Sequence, residues 1–329
     1  MERLGIFKDF NDETLKYVFQ SPDKKIIEMS LLFNKEEIDV VCAPTHHFCN
    51  LGCKICHLTN KGLNKKMIPI TQEDFIGCLI NTLMTNKGIR RTNKKKLLIS
   101  FMGVGEPLLN LSLIKGIFQD EDKIKKTLNY EEISYAISTM MPNRNVEKLI
   151  EMVLEYHIPL KLHFSLHTPI NEDRKDLIPS TTVSVKEAME LMVSYRNSIT
   201  KDKIIMENYQ HFHRTKDPIE IHYTLIRNIN DEEKELDTLC ELLNEYRIPI
   251  KFIRFNPINE LEISANELHW IETINDRVSG LRIKAYSPPG REIGSSCGEF
   301  TKHYYHEEIE TESQRNEFEK WKELHEIFE

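Results

Sequence analysis

Seven short runs rich in Val, Ile, Leu, Phe and Tyr recur along the chain: Asp39 to Ala43, Lys96 to Met102, Ile133 to Ser138, Leu160 to Leu166, Ile219 to Ile226, Ile250 to Phe255 and Arg282 to Tyr286. Between them the apolar residues take helical spacing. Strands that alternate with helices predict βα units and a parallel sheet, because parallel neighbours need a crossover connection. One such helix is predicted over Thr71 to Leu83, with Thr71 as N-cap, Asp74 three residues on, and Phe75, Leu79 and Leu83 on the buried face. Asp231 to Tyr246 repeats the pattern with Leu236, Leu239, Cys240 and Leu243. Cys78 and Cys240 fall on these apolar faces and are expected in the core, where a free cysteine packs as a small hydrophobe.

Ahead of the first of these strands, SPDKK predicts a turn into an extended run, Ile26 to Phe33, and Glu13 to Phe19 is expected as a short helix. Residues 197–218 break the apolar periodicity and predict a long excursion; His211 and His213 lie there, a loop pair that more often means nothing than a metal site. The fold expected is therefore α/β, a partial (β/α)6 TIM-like barrel over residues 38–300. A short N-terminal helix and β extension precedes it over 1–37, and an acidic C-terminal helix follows over 301–329.

Charge narrows the choice of partner less than its sum suggests. The 329 residues carry 44 Lys and Arg against 52 Asp and Glu, a net −8. Nine of the glutamates fall between Glu307 and Glu329, against three basic residues there. Conversely, Lys87 to Lys96 holds six basic residues and no acid, and Lys54, Lys61, Lys65 and Lys66 follow the first cysteine cluster. Such runs read either as a solvated loop or as contacts to RNA phosphate. No run approaches the roughly 18 apolar residues of a membrane span, and the charged opening MERLGIFKDFND is no signal peptide, so a cytoplasmic protein without a membrane partner is expected.

Cys49, Cys53 and Cys56 form CNLGCKIC, a C-x3-C-x2-C spacing in a turn-prone loop directly after the first parallel strand. Three thiolates on one loop can hold three irons of a [4Fe-4S] cubane and leave the fourth open. A zinc site completed by Cys42, His46, His47 or His57 is the alternative. At the end of the second parallel strand stands Gly103-Val-Gly105-Glu106-Pro107, where glycines allow close approach of backbone and Glu106 can receive an ammonium group. On a barrel, strand C-termini line the active face.

These motifs together resemble the RlmN and Cfr methylases of the radical SAM enzymes. FMGVGEPLLN, the cysteine loop followed by Thr59, Lys61, Gly62 and Asn64, SLHTPINEDRKDLIP, YTLIRNIND, RFNP and GREIGSSCGEF carry the likeness in order, from about Glu28 to Phe300. The resemblance implies a radical SAM barrel and methylation of an sp2 carbon of adenosine in transfer or ribosomal RNA, C2 being favoured over C8. It implies one [4Fe-4S] cluster on Cys49, Cys53 and Cys56 and two S-adenosylmethionine molecules per turnover. Contacts to that cofactor fall to Gly105, Glu106, Ser138, Ser165, Leu166, His167 and Asn256.

By the same resemblance Cys297 accepts a methyl group, which is activated by hydrogen abstraction and joined to the ring carbon. Glu28, with a one-residue offset from the family's glutamate, would take the ring proton, and Cys42 would release the product by forming a disulfide with Cys297. The direct chemistry agrees: an amidine carbon is electrophilic, so simple polar displacement on a methyl donor is unpromising there. An electron donor such as flavodoxin or ferredoxin is implied. The family's N-terminal accessory domain has no room here, so a separate RNA-binding partner is expected to serve instead. Two departures are Met140 where a glycine is common and Pro288-Pro289-Gly290 before the last cysteine.

Two other readings stay open: the same methyl transfer to a heterocycle outside RNA, and a zinc-stabilised RNA-binding module without catalysis. Metal analysis of anaerobically purified protein separates the last. Iron with sulfide is expected; zinc alone would sustain the module instead.

Overall fold

The computed structural model describes residues 1–32, 37–60, 66–90, 94–213, 215–254, 256, 261–294 and 312–327. In chain order the elements are β1 (Glu2–Lys8), β2 (Leu15–Gln20), β3 (Ile26–Leu32), β4 (Ile38–Ala43), α1 (His57–Asn60), α2 (Gln72–Arg90), β5 (Lys96–Phe101), α3 (Leu111–Gln119), α4 (Glu121–Leu128) and β6 (Glu132–Thr139). There follow α5 (Val146–Glu155), β7 (Leu160–Ser165), α6 (Asn171–Leu177), α7 (Val185–Ile199), α8 (Lys203–Phe212), β8 (Ile219–Tyr223), α9 (Glu233–Tyr246), β9 (Ile250–Ile253), α10 (Glu267–Arg277), β10 (Ile283–Tyr286) and α11 (Glu312–His325). All seven runs singled out in the sequence form strands, β4 to β10. The fold is α/β. Among the described residues no helix is long and apolar enough to cross a membrane.

The chain divides into two compact units. The first comprises Met1–Asn50, His57–Tyr135 and Pro289–Glu329. In it β1, β2, β3 and β4 pair antiparallel in sequence, and β4 then pairs with β5 in parallel. The segment expected as a helix, Glu13 to Phe19, is therefore mostly strand β2. Its Tyr17, Val18 and Phe19 are aromatic or β-branched and suit a pleated surface, and residues 9–14 fold it back onto β1. There Asp9 accepts the Asn11 N–H at 2.8 Å, Asp12 accepts the Thr14 N–H at 3.0 Å, and Glu13 takes a left-handed φ of 64°. The turn residues were visible in NDET; the strand ahead of them, interrupted by Gly5, was not.

Helix α2 starts where expected, the Asp74 N–H donating to Thr71 Oγ1 at 3.1 Å, and Phe75, Leu79, Leu83 and Cys78 are buried. It runs on to Arg90, well past the predicted end. On β1 and β2, Phe7 and Val18 form a small core with Ile26 and Ile293, and Trp321 of α11 stacks on Phe7 at 5.5 Å.

The second unit comprises Leu51–Cys56 and Ala136–Pro288, with β6 running into it from the first. Strands β7, β8, β9 and β10 pair in parallel. Helix α7 begins with a capping box, the Ser184 side chain and Glu187 each satisfying the other's backbone N–H. Residues 197–218, expected as an excursion, contain α8, which buries Ile205, Tyr209 and Phe212. Helix α9 buries Leu236, Leu239, Cys240 and Leu243 as its spacing predicts. Trp270 of α10 is fully buried against Tyr223, 5.5 Å away, and Phe252, 6.3 Å away.

Candidate active site

Cys42 occupies β4 one residue before its end, and the pairing of four strands fixes what faces it. Lys16 on β2 lies opposite Ser30 on β3, Ser30 opposite Cys42, and Cys42 opposite Ser100 on β5. Residues in register project to the same face, and so does Glu28, two residues before Ser30. The row is polar: Lys16 is 1% exposed, Glu28 9%, and Cys42 is half-buried. Lys16 Nζ donates to Glu28 Oε2 at 2.7 Å and to the carbonyl of Gly294 at 2.8 Å. Burial pushes the Cys42 thiol up to about 11, with Glu28 adding to the rise and Lys16 opposing it. Cys42 is therefore a thiol, not a thiolate, at neutral pH.

The segment that leads toward Cys297 is tied to the same unit. Its N–H groups at Gly290 and Glu292 donate to Asp12 Oδ2 at 2.6 Å and Asp9 Oδ2 at 3.0 Å. Trp321 Nε1 donates to the Glu292 carbonyl at 2.9 Å, and Ile293 is fully buried. Cys297 itself, with Ser295 and Ser296, lies outside the described residues, as do Lys61, Gly62, Asn64 and Lys65 after the cysteine loop.

The glycines of GVGEP meet the chain itself. Gly103 donates its N–H to Ala43 O at 3.1 Å, and Thr45 and His46 donate theirs to Val104 O at 2.9 and 3.2 Å. A Cβ on Gly103 would lie 2.7–2.9 Å from the backbone of Ala43 and Pro44. At Gly105, φ is +103° and a Cβ would lie 2.4 Å from His46 Nδ1. Both positions thus demand glycine, because residues 43–46, between Cys42 and Cys49, are pressed against residues 103–105. Glu106 is buried, and its Oε1 accepts the Leu108 N–H at 3.0 Å, capping the 3-10 turn Pro107–Leu109. Asn110, closing the same motif, donates to the carbonyls of Thr45 at 2.8 Å and Ile70 at 3.2 Å. It is a positioning residue that sequence reasoning missed, although it stands in the quoted FMGVGEPLLN.

Burial pushes His46 down to about 4 and lowers His47 as well. Their Nδ1 atoms are engaged by Thr45 Oγ1 at 2.9 Å and Ile26 O at 3.0 Å.

The cysteine loop is turned rather than extended: Cys56 N–H donates to Cys53 O at 3.0 Å, and Gly52 sits at φ +72°. Residues 176–180 brace it, Lys54 N–H donating to Leu177 O at 3.0 Å and Ser180 Oγ to Leu51 O at 2.8 Å. None of the three forms a disulfide among the described residues; Cys53 is buried and Cys49 and Cys56 are half-buried. Three soft thiolate-type donors close in sequence on a braced turn fit a [4Fe-4S] cluster with one iron left over.

The second unit holds the remaining expected contacts. Ser138, near the end of β6, and Ser165, ending β7, are joined Oγ to Oγ at 3.0 Å. Leu166 and His167 follow, both buried; His167 has a left-handed φ of 57° and accepts the Thr224 N–H on Nδ1 at 3.2 Å. Burial, helped by the Arg174 charge, pushes His167 down to about 3, so the ring is neutral with its proton on Nε2. Two residues missed by sequence reasoning hold this stretch. Arg174, 1% exposed, donates to the carbonyls of Leu166, Ser165 and Met140, and Asn230 donates to those of His167 and Thr224. Both were in the quoted motifs, SLHTPINEDRKDLIP and YTLIRNIND. Asn256 is half-buried.

Below Ser165 on the same face of β7, His163 meets Glu220 and His222 of β8, three donors of metal-binding type whose ligand atoms lie within 4.8 Å of one another. Glu220 is already encircled: Lys161 and Lys251 reach its Oε2 at 3.0 and 2.9 Å, and Arg282 its Oε1 at 2.7 Å. Three cations around one carboxylate leave a positive surround that repels a further cation.

No family model matches the chain. In sequence it is similar to the dual-specificity RNA methyltransferase RlmN of Vesicomyosocius okutanii, 23% identical over 293 residues, which are 88% of this chain and 74% of that protein. It is similar also to the probable RlmN of Clostridioides difficile, 26% identical over 89% of this chain and 77% of that one. Among solved structures, a radical SAM methyltransferase from Sphaerobacter thermophilus superposes with a TM-score of 0.69 at 20% identity, covering 90% of this chain and 80% of that one. The chain thus shares the α/β fold of that methyltransferase. In sequence it is similar along nearly nine-tenths of its length to the RlmN methyltransferases.

Differential alkylation tests the environment of Cys42. At pH 8 its labelling rate should be about 1000-fold below its alkaline plateau, with a midpoint near 11. Glu28→Gln, which removes a neighbouring negative charge, should move that midpoint down. A Cys42 midpoint near that of an exposed thiol would contradict the buried, acidic-neighbour geometry.

Proposed function

We propose that this chain is a radical SAM methyltransferase that methylates a ring carbon of adenosine in RNA, C2 being favoured, with Cys297 carrying the methyl group. What carries the reading is the first unit: Cys42 in one strand register with the Lys16–Glu28 pair, and the segment leading to Cys297 fastened to the same hairpin. The relatives, named dual-specificity RNA methyltransferases, support methylation of an RNA substrate; transfer or ribosomal RNA is the substrate proposed.

When bound, a [4Fe-4S] cluster on Cys49, Cys53 and Cys56 and two molecules of S-adenosylmethionine per turnover supply the methyl group and the one-electron chemistry. The rest falls to side chains. Glu106, Ser138, Ser165, Leu166, His167 and Asn256, with the backbone at Gly105, bind and orient the cofactor; the neutral His167 presents Nε2–H as a donor. Cys297 accepts the methyl group as a thioether; after loss of one hydrogen atom to that one-electron chemistry, its CH2 bonds the ring carbon and holds the RNA base as a covalent adduct, whose odd electron the same chemistry takes up as the ring proton leaves. Glu28 removes the ring proton. Cys42 attacks the Cys297 sulfur as its own proton passes to the new methyl carbon; a disulfide forms as the bond from sulfur to that carbon breaks, and the methylated base leaves. Because Cys42 is held as a thiol, it does not compete for the methyl group in the first step. The enzyme works in the cytoplasm and takes electrons from a flavodoxin or ferredoxin.

Incubation of the reconstituted protein with S-adenosylmethionine, a reductant and RNA is expected to yield methyladenosine by mass spectrometry of the digested RNA, and Cys297→Ser is expected to abolish it, a loss of at least about 1000-fold. Cleavage of S-adenosylmethionine without methyladenosine would move the acceptor to a heterocycle outside RNA.

A further inference from the structure

Lys16 is a cation almost without water, on a strand that has no place in the cysteine or glycine motifs. Its two described contacts have different destinations. One Nζ–H goes to Glu28 Oε2 at 2.7 Å and another to the carbonyl of Gly294 at 2.8 Å, three residues before Cys297. The carboxylate is thereby oriented. Oε2 is taken by the ammonium, while Oε1 is buried and has no hydrogen-bond partner among the described residues. A buried acceptor left bare is costly unless something fills it part of the time, and a proton donor carried by a substrate does so.

The surroundings leave few other groups to do this work. Among the described residues, the titratable groups facing Glu28 are Lys16 from β2 and Cys42 from β4; Val18, its partner in register, is apolar, and Arg291 and Glu292 on the neighbouring segment are exposed. Residues 290–294 are held at Asp12, Asp9, Trp321 and Lys16, and only the last contact also touches a group of the proposed chemistry.

We propose that Lys16 is a positioning residue that locks Glu28 and the root of the Cys297-bearing segment into one unit, so that the carboxylate is aimed by the same contact that seats the reactive loop. The proposal rests on the functional reading for the role of Glu28, but the coupling itself does not. Coupling through one shared cation is reciprocal: disturbing Glu28 must loosen Gly294, and disturbing Lys16 must loosen both.

The test uses the full chain with three substitutions, Lys16→Met, Lys16→Arg and Glu28→Gln. Amide hydrogen exchange over residues 290–294 is expected to rise at least tenfold in Lys16→Met and also in Glu28→Gln, although Glu28 makes none of the contacts to that segment, and to stay near wild type in Lys16→Arg. In the loaded enzyme, methyladenosine release is expected to fall about 100-fold in Lys16→Met, a larger loss than that of Cys297 methylation, with Lys16→Arg restoring most of it. Unchanged exchange in Glu28→Gln, or equal loss of both half-reactions with no rescue by Arg, overturns the proposal. If wild type makes no methyladenosine but Glu28→Gln still loosens 290–294, the functional reading fails and the coupling stands.

Discussion

The register of four strands, β2 to β5, is the constraint from which the first unit follows. Because Lys16, Ser30, Cys42 and Ser100 must face one another, a thiol, an ion pair and two hydroxyls share a single face of the sheet. A one-residue slip would send the set to the opposite face. The burial that makes this row specific also sets its chemistry: it holds Cys42 protonated and makes the pairing of Lys16 with Glu28 indispensable, since either charge alone would be stranded. The backbone contacts of residues 43–46 with 103–105 extend the same logic to the strand ends, where two glycines are dictated by close packing before any ligand is considered.

In the second unit the ordering principle is backbone satisfaction. The chain makes a left-handed turn at His167, and the carbonyls this frees are collected by Arg174 and Asn230, two buried side chains with several donors each. A neutral imidazole of fixed tautomer results. Beneath it, Glu220 is neutralised threefold by Lys161, Lys251 and Arg282, an interior electrostatic knot that keeps His163 and His222 uncharged, both pushed down by burial first.

Much of this was legible in the sequence because hydrophobic period and turn chemistry report local structure directly. The seven strands β4 to β10, the Thr71 cap and the core positions of Cys78 and Cys240 follow from spacing alone. The strand nature of Leu15–Gln20 did not, because a short run of buried residues on both faces has no alternation to betray it, and its partner β1 carries a glycine. The cysteine loop, Cys42 and the glycine motif could be named as chemistry because their residue types are scarce and their spacing is tight. Lys16, Asn110, Arg174 and Asn230 could not, since a polar residue in a motif reveals its role only through the distant carbonyl or carboxylate that it meets.

The proposed division of labour between two thiols gives Cys297 the methyl group and Cys42 the release of the product. Its most direct measurement is the mass of the Cys297 peptide from protein expressed with iron and cluster-assembly support, wild type beside Cys42→Ala. One added CH2 on Cys297 is expected in the wild type and a nucleotide fragment trapped on it in the variant. An unmodified Cys297 in both, from protein that still cleaves S-adenosylmethionine, would contradict it.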